Sequence, residues 1–382
     1  MRVALMANTG WYLYNFRKSL MAALRDAGHR PVAICPHDEY VERLILEGFD
    51  FIDFPLDASG VNPFREMVTV KRLRNTLVNG CFEAAFTFTP KANIYFGLVA
   101  KSIGIRHVPT VSGLGRVFIA ENGLKSVVTR LYRRAFSASH LVIFENHDDQ
   151  REFVEGGLVQ AERSLRVPGA GINLIKFRLT PAHNLTGLPR CVFLFIARIL
   201  RDKGVIEYIE AARLVKASRP EAIFQILGSL GAQNPTAVSK EQVQSWVSEG
   251  VIEYLGATDD VRPYIEASDC VVLPSYREGL PLVLLEAAAM GRPCITTDVP
   301  GCRDAVDGGV TGLFCEVRSA RSLADTLLQF LTVPVAQRIE MGQRGRLKVE
   351  SEFDEKIVLR TYVAVAAQMA AAEFDSRQSR AA

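Results

Sequence analysis

The chain has 382 residues and lacks the features that mark several classes of protein. No stretch approaches about 20 uncharged apolar residues, which argues against a membrane-spanning helix. The N-terminal segment, residues 1–10, lacks the apolar length and the cleavage site of a signal peptide. The seven cysteines form no Cys-x-x-Cys pair, so neither a disulfide framework nor a zinc knuckle is indicated. These absences predict a cytoplasmic protein in a reducing compartment.

Neither sign of charge is in large excess. The net charge is +3 and the pI is 8.4, and aromatic residues are not interleaved with basic ones, so nucleic-acid binding is disfavoured. Residues 1–180 carry 23 Lys and Arg against 17 Asp and Glu, whereas residues 181–382 carry 22 against 25. This asymmetry fits either ordinary variation or an N-terminal half that meets an anionic partner such as phospholipid.

What is present is a globular composition in which strand and helix patterns alternate, as in parallel sheets wound by helices. We therefore predict the α/β class, with two doubly wound, Rossmann-like domains that face each other across a ligand-binding cleft. The predicted domains are residues 1–180 and 188–354, joined by a linker within residues 168–190 that is rich in glycine and proline. A helix over residues 355–372 follows and could cross back to the first domain. Residues 373–382 are predicted to be a disordered tail.

Short apolar runs bounded by turn residues predict the individual strands. In the first half they lie at residues 3–6, 31–35, 51–54, 84–87, 107–111 and 141–144. In the second half they lie at residues 191–196, 223–227, 252–255, 270–274 and 294–297. Amphipathic patterns in the first half predict helices at residues 11–27, 40–48 and 92–103.

The most informative segment is residues 278–286. It follows the predicted strand at 270–274 and leads into an apolar segment, 281–290, that predicts a helix with proline at its first position. Glu278 then lies ahead of free backbone amides that favour anions, and Glu286 lies inside the helix. Two carboxylates placed in this way around a phosphate-binding helix end predict a ligand with a sugar, a diphosphate and a ribose, which is a nucleotide-sugar.

Two basic residues, Arg198 and Lys203, follow the predicted strand at 191–196. Arginine can bind phosphate oxygens as a two-pronged fork, and lysine adds a point charge. Taken alone, the pair is equally compatible with a solvated turn. Because it occupies a strand end equivalent to that of Glu278, we predict that it binds a diphosphate.

Glycines follow several other predicted strands, where the lack of a side chain lets the backbone approach a ligand. We predict that Gly10, Gly228 and Gly256 border the donor and that Gly113 and Gly115 border the acceptor. The chain has no Gly-x-Gly-x-x-Gly fingerprint, which counts against NAD.

These motifs carry a family resemblance. The sequence resembles glycosyltransferase family 4, whose members have the two-domain GT-B fold, at Arg198 and Lys203, Gly228, residues 254–256, residues 274–281 and residues 286–287. The spacing Glu-x7-Glu matches without gaps. Residues 62–64, 91–93, 113–115 and 168–173 are similar to a branch that includes an N-acetylgalactosaminyltransferase acting on a diphospho-undecaprenol-linked sugar. The similarity runs over nearly the whole chain.

The resemblance implies retaining transfer from a nucleotide-sugar that is a substrate, with neither a cofactor nor a bound metal. By carry-over, Glu278 would hold the sugar hydroxyls, the amides of Gly279 and Leu280 would hold the phosphate, and Glu286 would accept hydrogen bonds from the ribose. A protein nucleophile is not required, because the leaving phosphate can take the acceptor proton on the same face.

The chain contains no Asp-x-Asp, so Arg198, Lys203 and helix-end amides would have to neutralise the diphosphate. Such preorganised positive groups are often the largest catalytic contribution. We therefore predict that Glu278, Arg198 and Lys203 are the catalytic residues and that no residue binds a metal ion.

The chain departs from the family at one point. Many members have a histidine close to the donor sugar, near the start of the segment that is 86–91 here, and none occurs in it. His107 and His147 are the nearest alternatives, but a strand-end histidine is more often structural, and we predict no catalytic histidine. Lys91 is the favoured residue of this segment, for the acceptor phosphate.

Residues 125–136 combine four basic residues with an apolar stripe. They predict a core-facing helix with a solvated basic side, or a helix that attaches to anionic lipid, and the two interpretations are compatible. We predict that this segment contacts an anionic membrane surface.

The leading hypothesis is a glycosyltransferase, peripheral on the inner face of the cell membrane, that moves a hexose or N-acetylhexosamine from a UDP-sugar to a lipid-linked (polyprenyl-diphosphate) glycan. A GDP-mannose-dependent or soluble-acceptor transferase is the main alternative. A UDP-sugar 2-epimerase would need additional acid/base carboxylates. From another class, a non-catalytic nucleotide-sugar-binding protein would keep Arg198 and Lys203 but could dispense with Glu278.

Overall fold

The computed structural model describes residues 1–57, 62–113, 123–181, 190–231 and 234–381. The chain forms two compact units. Unit 1 comprises Met1–Ala170 together with Lys356–Ala382, and unit 2 comprises Gly171–Glu355.

Unit 1 contains a parallel sheet. Its strands are β1 (Arg2–Met6), β2 (Arg30–Cys35), β3 (Asp50–Asp53), β4 (Ala84–Thr87), β5 (Arg106–Val111), β6 (Val142–Phe144) and β7 (Ser164–Arg166). They lie side by side in the order β3-β2-β1-β4-β5-β6-β7. This order starts at a central strand and reverses direction once, as in a doubly wound fold.

Helices cover both faces of this sheet. They are α1 (Gly10–Tyr12), which continues through a π-helical turn (Leu13–Arg17) into α2 (Lys18–Asp26), then α3 (Glu39–Leu46), α4 (Pro63–Asn79), α5 (Pro90–Ile103), α6 (Gly123–Phe136) and α7 (His147–Glu155). Buried side chains of α4, α5 and α6 pack in one core, represented by Leu73, Phe96 and Tyr132. Those of α2 and α3, represented by Leu24 and Leu44, pack in a second core on the other face.

Unit 2 contains a second parallel sheet. Its strands are β8 (Val192–Ile196), β9 (Ile223–Leu227), β10 (Glu253–Tyr254), β11 (Cys270–Leu273), β12 (Cys294–Thr297) and β13 (Gly312–Cys315), in the order β10-β9-β8-β11-β12-β13. Its helices are α8 (Val205–Lys216), α9 (Lys240–Ser248), α10 (Arg262–Glu266), α11 (Leu282–Ala289), α12 (Cys302–Ala305), α13 (Ala320–Thr332) and α14 (Val335–Glu352). Every residue of β8 and β11 is buried, which explains their continuous apolar sequences, since both faces of a parallel sheet are covered.

The last helix, α15, spans Glu355–Ala381, and its residues Tyr362 and Met369 are buried in the second core of unit 1. The helix continues into the tail predicted from residue 373, and the disorder of that tail stays a prediction. Alanines at 370–372 and the absence of glycine and proline from 373 to 381 favour this continuation.

The two Rossmann-like units confirm the predicted fold class, but several elements were not predicted, among them two edge strands. Edge strand β7 has three residues with polar side chains at both ends, so it gives no apolar run. Edge strand β13 is a short apolar segment, Gly312–Cys315, that was not predicted. Helix α4 was also not predicted. Within the described ranges, no helix has the length and apolar character that crossing a membrane would require.

The predicted linker also needs correction, because its described residues from 171 to 181 belong to unit 2. Ile172 and Phe177 are buried in the core of that unit. The buried guanidinium of Arg292 donates hydrogen bonds to the carbonyl oxygens of Thr180 (3.2 Å) and Pro181 (2.7 Å). Thr180 and Pro181 lie in a glycine- and proline-rich sequence, but Arg292 fixes their carbonyl groups to unit 2. They therefore do not act as a flexible linker.

Candidate functional site

The carboxyl edge of the sheet in unit 2 brings several predicted residues together. Arg198 follows β8, Gly228 follows β9, Gly256 follows β10 and Glu278 follows β11. Since β10, β9, β8 and β11 are adjacent and parallel, the turns that follow them lie at one edge of the sheet. This edge is where doubly wound folds bind ligands.

The turns at this edge are hydrogen-bonded to one another. The amide of Gly228 donates to the carbonyl oxygen of Gly256 at 2.7 Å, and the amide of Tyr276 donates to that of Asp202 at 3.0 Å. The backbone groups of the edge are therefore held in fixed positions before any ligand arrives.

An ion pair joins two of the predicted catalytic residues. The Nζ atom of Lys203 lies 2.5 Å from Oε1 of Glu278, and the side chains are only 22% and 12% exposed. The amide of Glu278 also donates to the carbonyl oxygen of Pro300 at 3.1 Å. A diphosphate-binding cation and a sugar-binding carboxylate were predicted separately, and the structure places them in direct contact.

Gly204, next to Lys203, makes this contact possible. Its φ of +75° is unfavourable for other residues, and a Cβ atom added there would lie 2.0 Å from the carbonyl oxygen of Pro274. The turn after β8 can therefore approach the turn after β11 only because residue 204 has no side chain.

Two of the predicted donor glycines allow close packing, Gly228 against backbone and Gly10 against a side chain. A Cβ atom on Gly228 would lie 1.7 Å from the carbonyl oxygen of Ala197, and one on Gly10 would lie 2.3 Å from Oδ1 of Asp38. Gly10 belongs to unit 1. Gly256, at φ +80°, has open space around its Cα atom. Donor contacts at these three positions stay predictions.

The segment before α11 differs in detail from the prediction. Pro281 is the N-cap residue, with ψ of 99°, and the helix begins at Leu282, so proline does not occupy the first helical position. As the N-cap residue, Pro281 provides no side-chain hydrogen bond to the first amides of the helix. The side chain of Leu280 is buried in the core, Gly279 is half-buried, and Arg198 is exposed at the same edge.

Glu286 lies on α11 and is half-buried. Desolvation raises the pKa of its carboxyl from 4.5 to about 7, Lys176 opposes the shift and Asp260 reinforces it. Within the described part of the chain, no group donates a hydrogen bond to this carboxyl. A desolvated acceptor without a donor is costly, and a ligand hydroxyl would compensate it.

Tyr276 supports the turn that carries Glu278, and we did not predict this role. Its hydroxyl donates to Oε1 of Glu207 on α8 at 2.6 Å, and the guanidinium carbon of Arg318 lies 4.7 Å from the centre of its ring. Arg318 has a φ of +59°, a backbone conformation that costs energy in any residue other than glycine. No sequence signal identifies these partners, because they come from separate helices and loops.

The predicted acceptor residues lie in unit 1. Nζ of Lys91 donates to Oε1 of Glu66 at 2.8 Å and to the carbonyl oxygen of Asp57 at 2.6 Å. Its charge is therefore already balanced by a carboxylate, and acceptor binding by Lys91 stays a prediction. Gly113 follows β5 with a φ of +111°, and Gly115 lies outside the described residues.

Neither alternative histidine has the environment of a catalytic base. His107 is fully buried, its Nε2 atom lies 2.8 Å from Oγ1 of Thr87, and its ring stacks on Phe96. Burial lowers its pKa to about 3, so it is neutral. His147 is exposed at the start of α7.

A deeply buried ion pair joins Arg17 and Glu145 in unit 1. Nη2 of Arg17 lies 2.7 Å from Oε1 of Glu145, and the side chains are 2% and 8% exposed. Arg17 also donates to the hydroxyl of Tyr12 at 3.0 Å. Each charge balances the other, and removal of either partner would leave the other charge buried without compensation.

Among the residues that the structure describes, we identify neither a disulfide nor a metal-binding site. All seven cysteines are free, and Cys81 is the exposed one. Burial raises the pKa of Cys302 to about 12, with a smaller upward contribution from the charge of Glu278 and an opposing one from Lys203. Its thiol is therefore protonated. No three His, Cys, Asp or Glu side chains cluster as a metal site in the described ranges.

Comparison with known proteins identifies relatives of both units. Residues 190–332 match the family described as Glycosyl transferases group 1. N,N′-diacetylbacillosaminyl-diphospho-undecaprenol alpha-1,3-N-acetylgalactosaminyltransferase of Campylobacter jejuni is 28% identical over 379 residues, 95% of this chain and 97% of the relative. UDP-Gal:alpha-D-GlcNAc-diphosphoundecaprenol alpha-1,3-galactosyltransferase of Escherichia coli is 24% identical over 305 residues, 77% of this chain and 78% of the relative. These matches confirm the predicted resemblance.

Solved structures share the fold. Sucrose-phosphate synthase from Thermosynechococcus elongatus superposes with a TM-score of 0.77 at 20% identity, covering 97% of this chain and 100% of that chain. HepE from Anabaena in complex with UDP gives 0.76 at 16% identity, covering 96% and 100%. At such identities the likeness establishes the fold alone, and it is the predicted GT-B fold.

The close approach at residue 204 leads to a first prediction. Gly204→Ala should lower the free energy of unfolding by about 2–4 kcal/mol, because it adds a steric clash to the cost of a positive φ. Gly250→Ala is the matched control, since Gly250 has a φ of +74° with nothing within 4 Å of the added atom, and should cost about 1–2 kcal/mol. Equal losses in urea unfolding would show that the approach to Pro274 is unimportant.

The raised pKa of Glu286 predicts a pH-dependent stability. Between pH 4.5 and about 7, the folded chain keeps a proton on this carboxyl that the unfolded chain has released. The stability of the folded protein therefore falls as the pH rises through that window. Glu286→Gln should therefore raise the melting temperature of the protein at pH 8.5, and the gain should shrink towards pH 4.5. Glu210→Gln, at an exposed position of α8, is the control. A gain independent of pH would contradict the prediction.

Proposed function

We propose that this chain, whose residues 190–332 match the Glycosyl transferases group 1 family, is a retaining glycosyltransferase. It transfers a hexose or N-acetylhexosamine from a UDP-sugar to a lipid-linked, polyprenyl-diphosphate glycan in surface polysaccharide assembly. The observation that carries the proposal is the contact between Lys203 and Glu278 at the carboxyl edge of the sheet in unit 2, on the same unit as the unpartnered carboxyl of Glu286.

Each charged group of this edge suits one part of the donor. Lys203 and the exposed Arg198 supply positive charge for the diphosphate. Glu278, once Lys203 turns to a phosphate, accepts hydrogen bonds from sugar hydroxyls. Glu286 accepts hydrogen bonds from the ribose, which would relieve the desolvation that raises its pKa. The amides of Gly279 and Leu280, ahead of the uncapped start of α11, complete the phosphate site.

The residues support a mechanism without a protein nucleophile. As the bond from the anomeric carbon to the diphosphate breaks, negative charge develops on the leaving phosphate, and Lys203 and Arg198 stabilise that charge. An acceptor hydroxyl attacks the same face of the sugar and passes its proton to the leaving phosphate oxygen. The anomeric configuration is thereby retained. Because these cations neutralise the diphosphate, we propose that the reaction needs no metal ion.

The names of the relatives favour a UDP-sugar and a lipid-linked acceptor. Both the Campylobacter and the Escherichia relatives are named for transfer to diphospho-undecaprenol-linked sugars, and the Escherichia enzyme is named for UDP-Gal. We carry these features to this chain as proposals. A GDP-mannose donor or a soluble acceptor is the alternative that the experiment below tests.

A lipid-linked acceptor requires a protein that meets the membrane, and α6 fits this requirement. Tyr132 and Phe136 of this helix are buried in the core of unit 1, whereas Arg130, Arg133 and Arg134 are exposed. The helix therefore keeps both predicted properties, a core-facing stripe and a basic outer side. We propose that its basic side contacts anionic lipid on the cytoplasmic face of the membrane.

Glu278→Gln and Lys203→Ala test the donor site. Each variant should keep the fold but lower kcat by roughly 100-fold or more, since each removes a charge that acts in the transition state. Lys203→Ala should also weaken UDP binding in calorimetry. Lys240→Ala, exposed at the start of α9, is the control. Turnover is measured by mass spectrometry with UDP- and GDP-sugars, polyprenyl-diphosphate and soluble acceptors, with and without EDTA.

Several outcomes would overturn parts of the proposal. Near-normal turnover of Glu278→Gln would remove this residue from the mechanism. Loss of activity in EDTA, or a product of inverted anomeric configuration by NMR, would contradict metal-free or retaining transfer. Donor binding without transfer to any acceptor would favour the non-catalytic binding protein.

Neutralising α6 tests the membrane contact. Replacing Arg130, Arg133 and Arg134 by glutamine should weaken binding to phosphatidylglycerol vesicles by roughly 100-fold at low salt, at about 1 kcal/mol per charge. Replacing Arg219, Arg321 and Arg344, which are exposed in unit 2, changes the net charge equally and should have a much smaller effect. Equal losses in flotation would assign binding to net charge rather than to α6.

A further inference from the structure

Helix α4 presents apolar side chains to solvent. Phe64, Met67 and Val68 are 80%, 66% and 68% exposed. The start of the helix is fixed, because the side chain of Asn62 accepts hydrogen bonds from the amides of Phe64 (3.1 Å) and Arg65 (3.3 Å). The three apolar residues are therefore held in place on a capped helical turn.

The exposed apolar residues lie opposite the face that packs against the protein. Leu73 and Leu77 are buried in the core of unit 1. At about 100° per residue they lie about 180° and 220° around the helix axis from Phe64. Met67 and Val68 lie within about 60° of Phe64 on the same scale. The outer apolar patch thus has no role in the core.

Basic residues surround this patch. Arg65, Lys71, Arg72 and Arg74 are all exposed, and no carboxylate in the described ranges pairs with any of them. The one acidic residue of the helix, Glu66, is turned inward, where it accepts hydrogen bonds from Lys91 and from the hydroxyl of Tyr95. The outer surface of α4 is therefore apolar and cationic, without a compensating negative charge.

Helices α4 and α6 belong to one layer of unit 1. Both pack against α5 on the same face of the sheet. The packing of α6 is close, since a Cβ atom on Gly97 of α5 would lie 2.6 Å from the carbonyl oxygen of Ala135. The apolar patch of α4 and the basic side of α6 are thus on the outside of the same helical layer.

We propose that α4 inserts Phe64, Met67 and Val68 into an anionic lipid surface, with Arg65, Lys71, Arg72 and Arg74 against the headgroups. An apolar helix edge with cations on both sides and no exposed acid is the pattern of helices that lie in a membrane interface. The proposal extends the membrane contact proposed for α6 and does not depend on the transfer reaction.

The two helices make different kinds of contact. The charges of α6 are screened by salt, whereas burial of apolar side chains is not. Residual binding of the protein to anionic vesicles at high salt is therefore assigned to α4.

Binding to phosphatidylglycerol vesicles in 0.5 M NaCl tests the proposal. The triple variant Phe64→Ser, Met67→Ser, Val68→Ser should bind at least about tenfold more weakly than the natural chain, because it removes the apolar groups that enter the lipid. The matched control replaces Leu46, Ile175 and Leu347, which are 86%, 85% and 63% exposed elsewhere, by serine and should bind normally. Equal binding of the two variants would overturn the proposal.

A direct measure of insertion accompanies this test. Tryptophan fluorescence of Phe64→Trp should be quenched by brominated lipids, whereas that of Leu46→Trp should not. Absence of quenching at position 64 would also overturn the proposal.

A second copy of the chain is the other possible partner of this apolar patch, and sedimentation equilibrium tests it. A dimer that the serine variant dissociates, without vesicle binding by the natural chain, would replace lipid by self-association. Unchanged UDP affinity of the serine variant separates this result from any failure of the donor site.

Discussion

The approach of two backbone turns, at Gly204 and Pro274, sets the geometry of the candidate site. A side chain at residue 204 would occupy the space of a carbonyl oxygen, so the two turns can meet only at glycine. Lys203 then reaches Glu278, and Tyr276 reaches the backbone of Asp202. The cation proposed for the diphosphate and the carboxylate proposed for the sugar are thus positioned by one steric constraint in the backbone.

Glu286, on the helix that follows this edge, has an unfavourable environment because its carboxyl is desolvated. A half-buried carboxyl without a donor destabilises the ligand-free protein, and its pKa rises to about 7 for that reason. Hydroxyls of the proposed donor would offset this cost by supplying hydrogen bonds. By contrast, the buried carboxylate of Glu145 in unit 1 is paired with Arg17 within the protein.

In unit 1, the inner and outer sides of two helices have different roles. The inner sides of α4 and α6 supply core residues, while their outer sides carry exposed cations, joined in α4 by exposed apolar residues. Charge and apolar area that contribute nothing to the core are available to an external partner. An acceptor carried by a polyprenyl lipid would be met at such a surface.

The sequence alone determined what depends on local periodicity and spacing. Apolar runs and turn residues predicted the buried strands, and the eight-residue spacing placed Glu278 before α11 and Glu286 within it, because helix rise is the same in every protein. It could not place Lys203 against Glu278, which are 75 residues apart, or show that Gly228 serves backbone packing. It also missed α4, whose single buried stripe is weak. Which side of that helix met α5, and so left Phe64 outside and Glu66 inside, was decided only by tertiary packing, because burial depends on neighbours that are distant in the chain.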